Sequence, residues 1–170
     1  AALSLSIRCF DSVLPHGITL SCRANAEVAG LTRALLLHGF PEAAFVWDEV
    51  MQRLDGRVQC VAPNLRGYER SSAPEEVGAY RVKHLVTDIA ALIAQQGAPI
   101  DLLVAHDWGG AAAWNVAALR PELMRFLAWV REQAAATRKA IGEVDAGDAA
   151  AEQPASAPAP RPTRSKPRCA

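Results

Sequence analysis

Along the first three-quarters of this chain, short apolar runs alternate with stretches in which apolar residues recur every three or four positions. Cys9 to Val13 and Ile18 to Arg23 are short strand-like segments, and Leu14-Pro15-His16-Gly17 between them reads as a turn. Pro fixes one dihedral there and Gly permits a left-handed one, so an antiparallel hairpin is expected. Ala34 to Leu37 and Val58 to Ala62 are continuous apolar or β-branched runs, the pattern of strands covered on both faces. Trp47, Val50, Met51 and Leu54 lie between them at helical spacing, with Gly56 placed to end the helix. Val82, Leu85, Val86, Ile89, Leu92 and Ile93 form the clearest helical stripe, stopped by Gly97 and Pro99. A strand from Leu102 to Ala105, a helix from Gly110 to Arg120 closed before Pro121, and a further strand from Phe126 to Val130 follow.

This alternation predicts an α/β protein with a mostly parallel sheet and helices on both faces. Chemistry in such sheets sits outside the carboxyl ends of the strands. Both His38-Gly39-Phe40-Pro41 and His106-Asp107-Trp108 fall there. The partial core is expected over residues 1–130 and an unrelated helix over 131–144. From about Asp145 onward, Pro154, Pro158, Pro160, Pro162 and Pro167 forbid regular helix, so 145–170 reads as a disordered Ala/Pro-rich tail. Arg161, Arg164, Lys166 and Arg168 make its end basic, and a solvated tail accounts for them.

Composition narrows the function classes. The 170 residues are 51% hydrophobic, enough for a real core, and 18 basic residues balance 18 acidic ones. A net charge of zero gives no reason to expect nucleic acid or a membrane surface as partner. No apolar run approaches the roughly 20 residues that span a bilayer, and the beginning lacks the basic and apolar regions of a signal peptide. A cytoplasmic protein is therefore expected. Cys9, Cys22, Cys60 and Cys169 are widely spaced and make no Cys-x-x-Cys pair, so neither a metal site nor a disulfide framework is expected.

The run Leu102-Leu103-Val104-Ala105-His106-Asp107-Trp108-Gly109-Gly110 has the form of a nucleophile elbow, with aspartate in the nucleophile's place. A carboxylate with a reference pKa of about 3.9 is ionised at pH 7 and needs no base to become nucleophilic. Gly109, and Ala105 in place of the usual Gly, leave room for the following helix to pack on the strand. By itself the elbow is equally a helix N-cap, a role that suits Asp. His38-Gly39-Phe40-Pro41 favours the nucleophile, because a loop there offers the Phe40 N–H, and with the Trp108 N–H this makes an oxyanion hole. His38 is expected to hold that loop by hydrogen bonds and not to act as the base. Pro41 fixes the loop, and its preceding peptide bond is open to either isomer.

Taken together, Leu14-Pro15-His16-Gly17, His38-Gly39-Phe40-Pro41-Glu42, Ala62-Pro63-Asn64-Leu65-Arg66-Gly67-Tyr68-Glu69-Arg70-Ser71-Ser72 and Ala105-His106-Asp107-Trp108-Gly109-Gly110 resemble the N-terminal half of α/β-hydrolase-fold enzymes of the epoxide hydrolase group. The resemblance covers residues from about 10 to 125. It implies that Asp107 attacks an epoxide carbon, giving an alkyl-enzyme ester that a His-activated water hydrolyses to a diol. The implied partner is a small-molecule epoxide or related electrophile, with no cofactor and no metal; the oligomeric state stays open. Haloalkane dehalogenases usually have Asn or Glu where Phe40 stands, fluoroacetate-type dehalogenases Arg at the position of Trp108, and serine esterases Ser at 107. Asn64 and Glu69 depart from the common Asp and Gly of the fold. Tyr68 resembles a structural position, and Trp47 and Trp114 are expected in the core.

Family members continue into a cap bearing proton-donating Tyr residues and then into strands that supply an acid and the catalytic His. The tyrosines here are Tyr68 and Tyr80, and the four histidines are His16, His38, His84 and His106, none at those places. Asp145 and Asp148 lie in low-complexity surroundings unlike those of a triad acid. The resemblance thus implies an α/β-hydrolase fold lacking the cap and last strands, with a covalent reaction begun by Asp107 and its second half impaired. A catalytically inactive truncated fragment and a dehalogenase-like hydrolase are the alternatives.

Overall fold

A computed structural model describes residues 7–130, all within one compact unit. The expected helix 131–144, the tail and Cys169 lie outside the described residues. The chain forms β1 (Arg8–Val13), β2 (Thr19–Ala24), β3 (Thr32–Leu37), α1 (Asp48–Leu54), β4 (Val58–Pro63), α2 (Val82–Gln95), β5 (Ile100–His106), α3 (Asp107–Leu119) and β6 (Met124–Val130), with three short 3-10 turns at Ala44–Trp47, Val77–Tyr80 and Pro121–Leu123. The strands make one sheet in the order β1-β2-β4-β3-β5-β6. β1, β2 and β4 pair antiparallel, whereas β4, β3, β5 and β6 run parallel.

The continuous apolar runs fill both faces because successive side chains of a strand point oppositely. Leu35 and Leu37 of β3 pair with Leu103 and Ala105 of β5, and all four face α2 and α3 through Ile89, Ile93, Ala112, Ala113 and Val116. Ala34 and Leu36 face the other way, against Ala44, Trp47 and Met51. Helices therefore cover both faces, and Trp47 is core as expected. Trp114 is not: it is 57% exposed on α3, whose buried stripe is Ala112, Ala113 and Val116. At β6, Phe126 is also largely exposed. No helix among the described residues is long and apolar enough to cross a membrane.

Polar side chains fix the loops that these elements leave open. Asn25 receives the Cys60 N–H and donates to the Val58 carbonyl, joining β2 to β4. Arg33 donates to the carbonyls of Gln96, Gly97 and Pro99, tying down the turn between α2 and β5. Arg66 and Asp88 are buried and paired twice at 2.6 Å, with His16 of the hairpin turn 2.7 Å from the same carboxylate. This cluster joins the loop after β4, helix α2 and the hairpin in one contact. Removing one member of a buried pair strands the other charge, which costs about 3–5 kcal/mol. Arg66→Ala is expected to lose that much stability in urea denaturation, and Arg66→Ala with Asp88→Ala is expected to lose less than the two single losses added together.

Candidate active site

The turn from β5 into α3 leaves no residue between strand and helix: β5 ends at His106 and α3 begins at Asp107. The helix starts three residues earlier than expected, because Gly109 and Gly110 are helical contact points and not a loop. Asp107 has φ 48°, in the left-handed region, which Asp tolerates better than most residues but still at a cost. His106, extended at φ −124°, occupies the N-cap position and makes no side-chain capping bond. Asp107 is thus the first helical residue, and its carboxylate turns away from the capping role toward the loop after β3.

That loop meets it directly. The Phe40 N–H donates to Asp107 Oδ2 at 2.9 Å, and the Trp108 N–H also bonds the carboxylate. The approach is possible because Gly39 and Gly109 lack side chains. A Cβ on Gly39 would lie 2.6 Å from Asp107 Cβ. One on Gly109 would lie 2.5 Å from the His38 carbonyl oxygen and 2.8 Å from that of Leu37. The second contact is with backbone that has no rotamer to change. The peptide bond between Phe40 and Pro41 is cis.

The amide bonds hold the Asp107 carboxyl below the ordinary aspartate value, Phe40 contributing most, then Trp108, with the charge of His106 adding a little against partial desolvation. Asp107, Phe40 and Trp108 are all exposed. His38 is fully buried. Its Nε2 accepts the Leu65 N–H at 3.0 Å, so Nδ1 carries the proton and donates to the Gly39 carbonyl at 2.9 Å. Both nitrogens are used in joining the loops after β3 and β4, and burial lowers the pKa of the ring. Tyr68 packs edge-on against it, centroids 4.7 Å apart, and its phenol is raised by burial and then by the Asp107 charge.

The residues singled out from the sequence, His38, Gly39, Phe40, Pro41, His106, Asp107, Trp108 and Gly109, all belong to this junction of two strand ends. Glu42 was quoted there only as part of a motif; its Oε2 lies 3.5 Å from His106 Nδ1. Glutamate at the end of a loop and histidine at the end of a neighbouring strand give no sequence signal of their pairing. Asn64, one departure from the fold's common pattern, explains itself: Oδ1 accepts the Ala44 N–H while Nδ2 donates to the Ser21 carbonyl and hydroxyl. An aspartate could not donate the latter bonds. Glu69, the other departure, sits at φ 48° where glycine has no steric penalty. No group of His, Cys, Asp and Glu among the described residues could hold a metal ion, and Cys9, Cys22 and Cys60 are free thiols.

The sequence model described as alpha/beta hydrolase fold matches residues 35–149. The chain belongs to the alpha/beta hydrolase fold family. It is 39% identical over 113 residues to the AB hydrolase superfamily protein YfhM of Bacillus subtilis, covering 66% of this chain and 39% of that protein. To epoxide hydrolase 4 of Mus musculus it is 34% identical over 121 residues, covering 71% and 33% respectively. The crystal structure of epoxide hydrolase VrEH1 from Vigna radiata superposes with TM-score 0.68 at 35% identity, over 72% of this chain and 38% of that one. The chain thus spans about a third to two-fifths of the length of these relatives.

Two substitutions separate steric need from backbone strain. Gly109→Ala is expected to cost about 1–3 kcal/mol, as overpacking does, and Glu69→Gly to gain about 1 kcal/mol by relieving the left-handed residue; both are read from denaturant midpoints. His38 gives a pH signature. Its folded pKa lies below the unfolded value of about 6.5, so the unfolded chain takes up the proton first and stability is lost as pH falls below that value. Between pH 7.5 and 5.5, His38→Gln is expected to lose less stability than the parent chain does.

Proposed function

We propose that Asp107 is the nucleophile of an epoxide-opening site, acting on a small-molecule epoxide or related electrophile without cofactor. The observation that carries this is the anchoring of an exposed carboxylate at the strand ends by a facing loop: Oδ2 is held by the Phe40 N–H at 2.9 Å. The relatives named as epoxide hydrolases support the same chemistry, each over its matching portion.

In this mechanism Oδ1 attacks an epoxide carbon, the ring C–O bond breaks, and the released alkoxide takes a proton from solvent water. The ester carbonyl oxygen is then Oδ2, already held by the Phe40 amide. Water attack at Cγ moves negative charge onto Oδ2, so the same donor stabilises the tetrahedral intermediate without rearrangement. Fixing the carboxylate beforehand removes orientational freedom from the first step as well. The amide bonds that orient Oδ2 also keep Asp107 ionised, with no base required.

Incubating the folded chain with a terminal epoxide such as styrene oxide is expected to add one epoxide mass to the peptide carrying Asp107. Asp107→Asn, which keeps both size and tolerance of the left-handed backbone, is expected to reduce labelling to background. Labelling that persists in Asp107→Asn would overturn the assignment. Because the carboxyl sits below its ordinary value, the Asp107-dependent labelling rate is expected to be level from pH 5 to 8 and to fall only below about pH 4.

A further inference from the structure

The first turn of α3 carries Asp107, and two glycines in that turn meet different strands. Helical neighbours lie about 100° apart around the axis, so Gly109 and Gly110 face in different directions. β5 runs between β3 and β6 in the sheet, and α3 starts where β5 ends. Gly109 leans over β3, where an added Cβ would meet the His38 and Leu37 carbonyl oxygens at 2.5 and 2.8 Å. Gly110 leans over β6. A Cβ on it would lie 2.6 Å from Nε1 and 2.8 Å from Cδ1 of Trp129.

Trp129 reaches that place by register. It pairs with Ala105, two residues before Asp107, and shares a face of β6 with Leu127, which packs against the core beneath α2 and α3. The largest side chain thus rests on the smallest residue, within one helical turn of Asp107. Glycine is a poor helix former, so the pair in this turn serves the space it leaves and not the helix. The two contacts oppose each other: the indole blocks movement of the turn toward β6, and the carbonyls after β3 block movement the other way. Phe40 lies on the β3 side, and its N–H meets Asp107 Oδ2 at 2.9 Å. Without the indole, the turn is free to shift toward β6 and away from Phe40, which lengthens and weakens that bond.

We infer that Trp129 is a positioning residue of this site: its indole, seated on Gly110, wedges the first turn of α3 toward the loop after β3 and keeps the Asp107 carboxylate on the Phe40 amide. The consequence for rate rests on Asp107 being the nucleophile, whereas the consequence at the carboxylate rests on the contact alone. Misplacing a reacting group by about 1 Å costs on the order of 10²-fold in rate, so a partial shift of the turn is felt in the attack. The Phe40 amide also holds the carboxyl below its ordinary value, and loosening it lets the carboxyl return upward. Size at positions 110 and 129 is therefore coupled. Gly with Trp fits, and Ala with a smaller residue fits; Ala with Trp overfills the contact, and Gly with a smaller residue leaves a gap.

The test uses the whole chain and two readouts: the rate of styrene oxide labelling at Asp107 per folded molecule, and the Asp107 carboxyl titration followed by carbon NMR without epoxide. Trp129→Val is expected to lower the maximal labelling rate about tenfold, while the epoxide concentration at half-maximal rate changes by less than about twofold. The same variant is expected to move the titration and the acid limb of labelling upward in pH. Gly110→Ala, acting from the other side of the contact, is expected to slow labelling similarly, and Gly110→Ala with Trp129→Val to recover most of the parent rate. Trp129→Phe, the variant least disturbing to the fold, is expected to fall between parent and Trp129→Val. Parent rate and titration in the folded Trp129 variants, or losses that simply add in the double variant, would overturn the inference. An unlabelled folded parent chain would remove the nucleophile reading, and the titration would then decide alone: an upward move in the Trp129 variants upholds the positioning role, and an unmoved carboxyl overturns it.

Discussion

The hydrogen bond from the Phe40 amide to Asp107 Oδ2 joins the ends of two strands that are adjacent in space but 67 residues apart in the chain. Everything near it is arranged to let backbone approach backbone. β3 and β5 are parallel neighbours, so their carboxyl ends emerge side by side. Gly39 removes the side chain that would strike Asp107, and Gly109 removes the one that would strike the carbonyls of Leu37 and His38. His38 then fixes the loop from beneath by linking the Gly39 carbonyl to the Leu65 amide. A junction built in this way has little freedom to relax, which is the condition under which a left-handed Asp107 can persist.

The strain and the chemistry are connected. An aspartate in ordinary helical backbone at a first turn would direct its carboxylate to the helix's own amides and be satisfied there. Left-handed φ at 107 swings the side chain outward, where one oxygen meets the facing loop. The fold offsets this cost by burying apolar residues on both sheet faces close below the elbow, Leu37 and Ala105 among them. Glu69 shows the same backbone state: it is exposed, and nothing in the structure explains its preference over glycine.

Much of this is legible in the sequence because it depends on short-range pattern. The hairpin follows from Pro15 and Gly17, the buried parallel strands from continuous apolar runs, and the elbow from a strand ending in Asp followed by glycines. The boundaries of α3 were less legible, since Gly109 and Gly110 look like breakers and their role as contact points appears only when β3 and β6 are beside them. Trp114 was misplaced for a related reason. Ala-rich α3 has so little polar contrast around its circumference that its sequence does not say which side is buried, and the small residues Ala112 and Ala113, not the indole, meet the sheet. The Glu42 and His106 pairing is a tertiary event between a loop and a strand end, invisible to any local spacing rule.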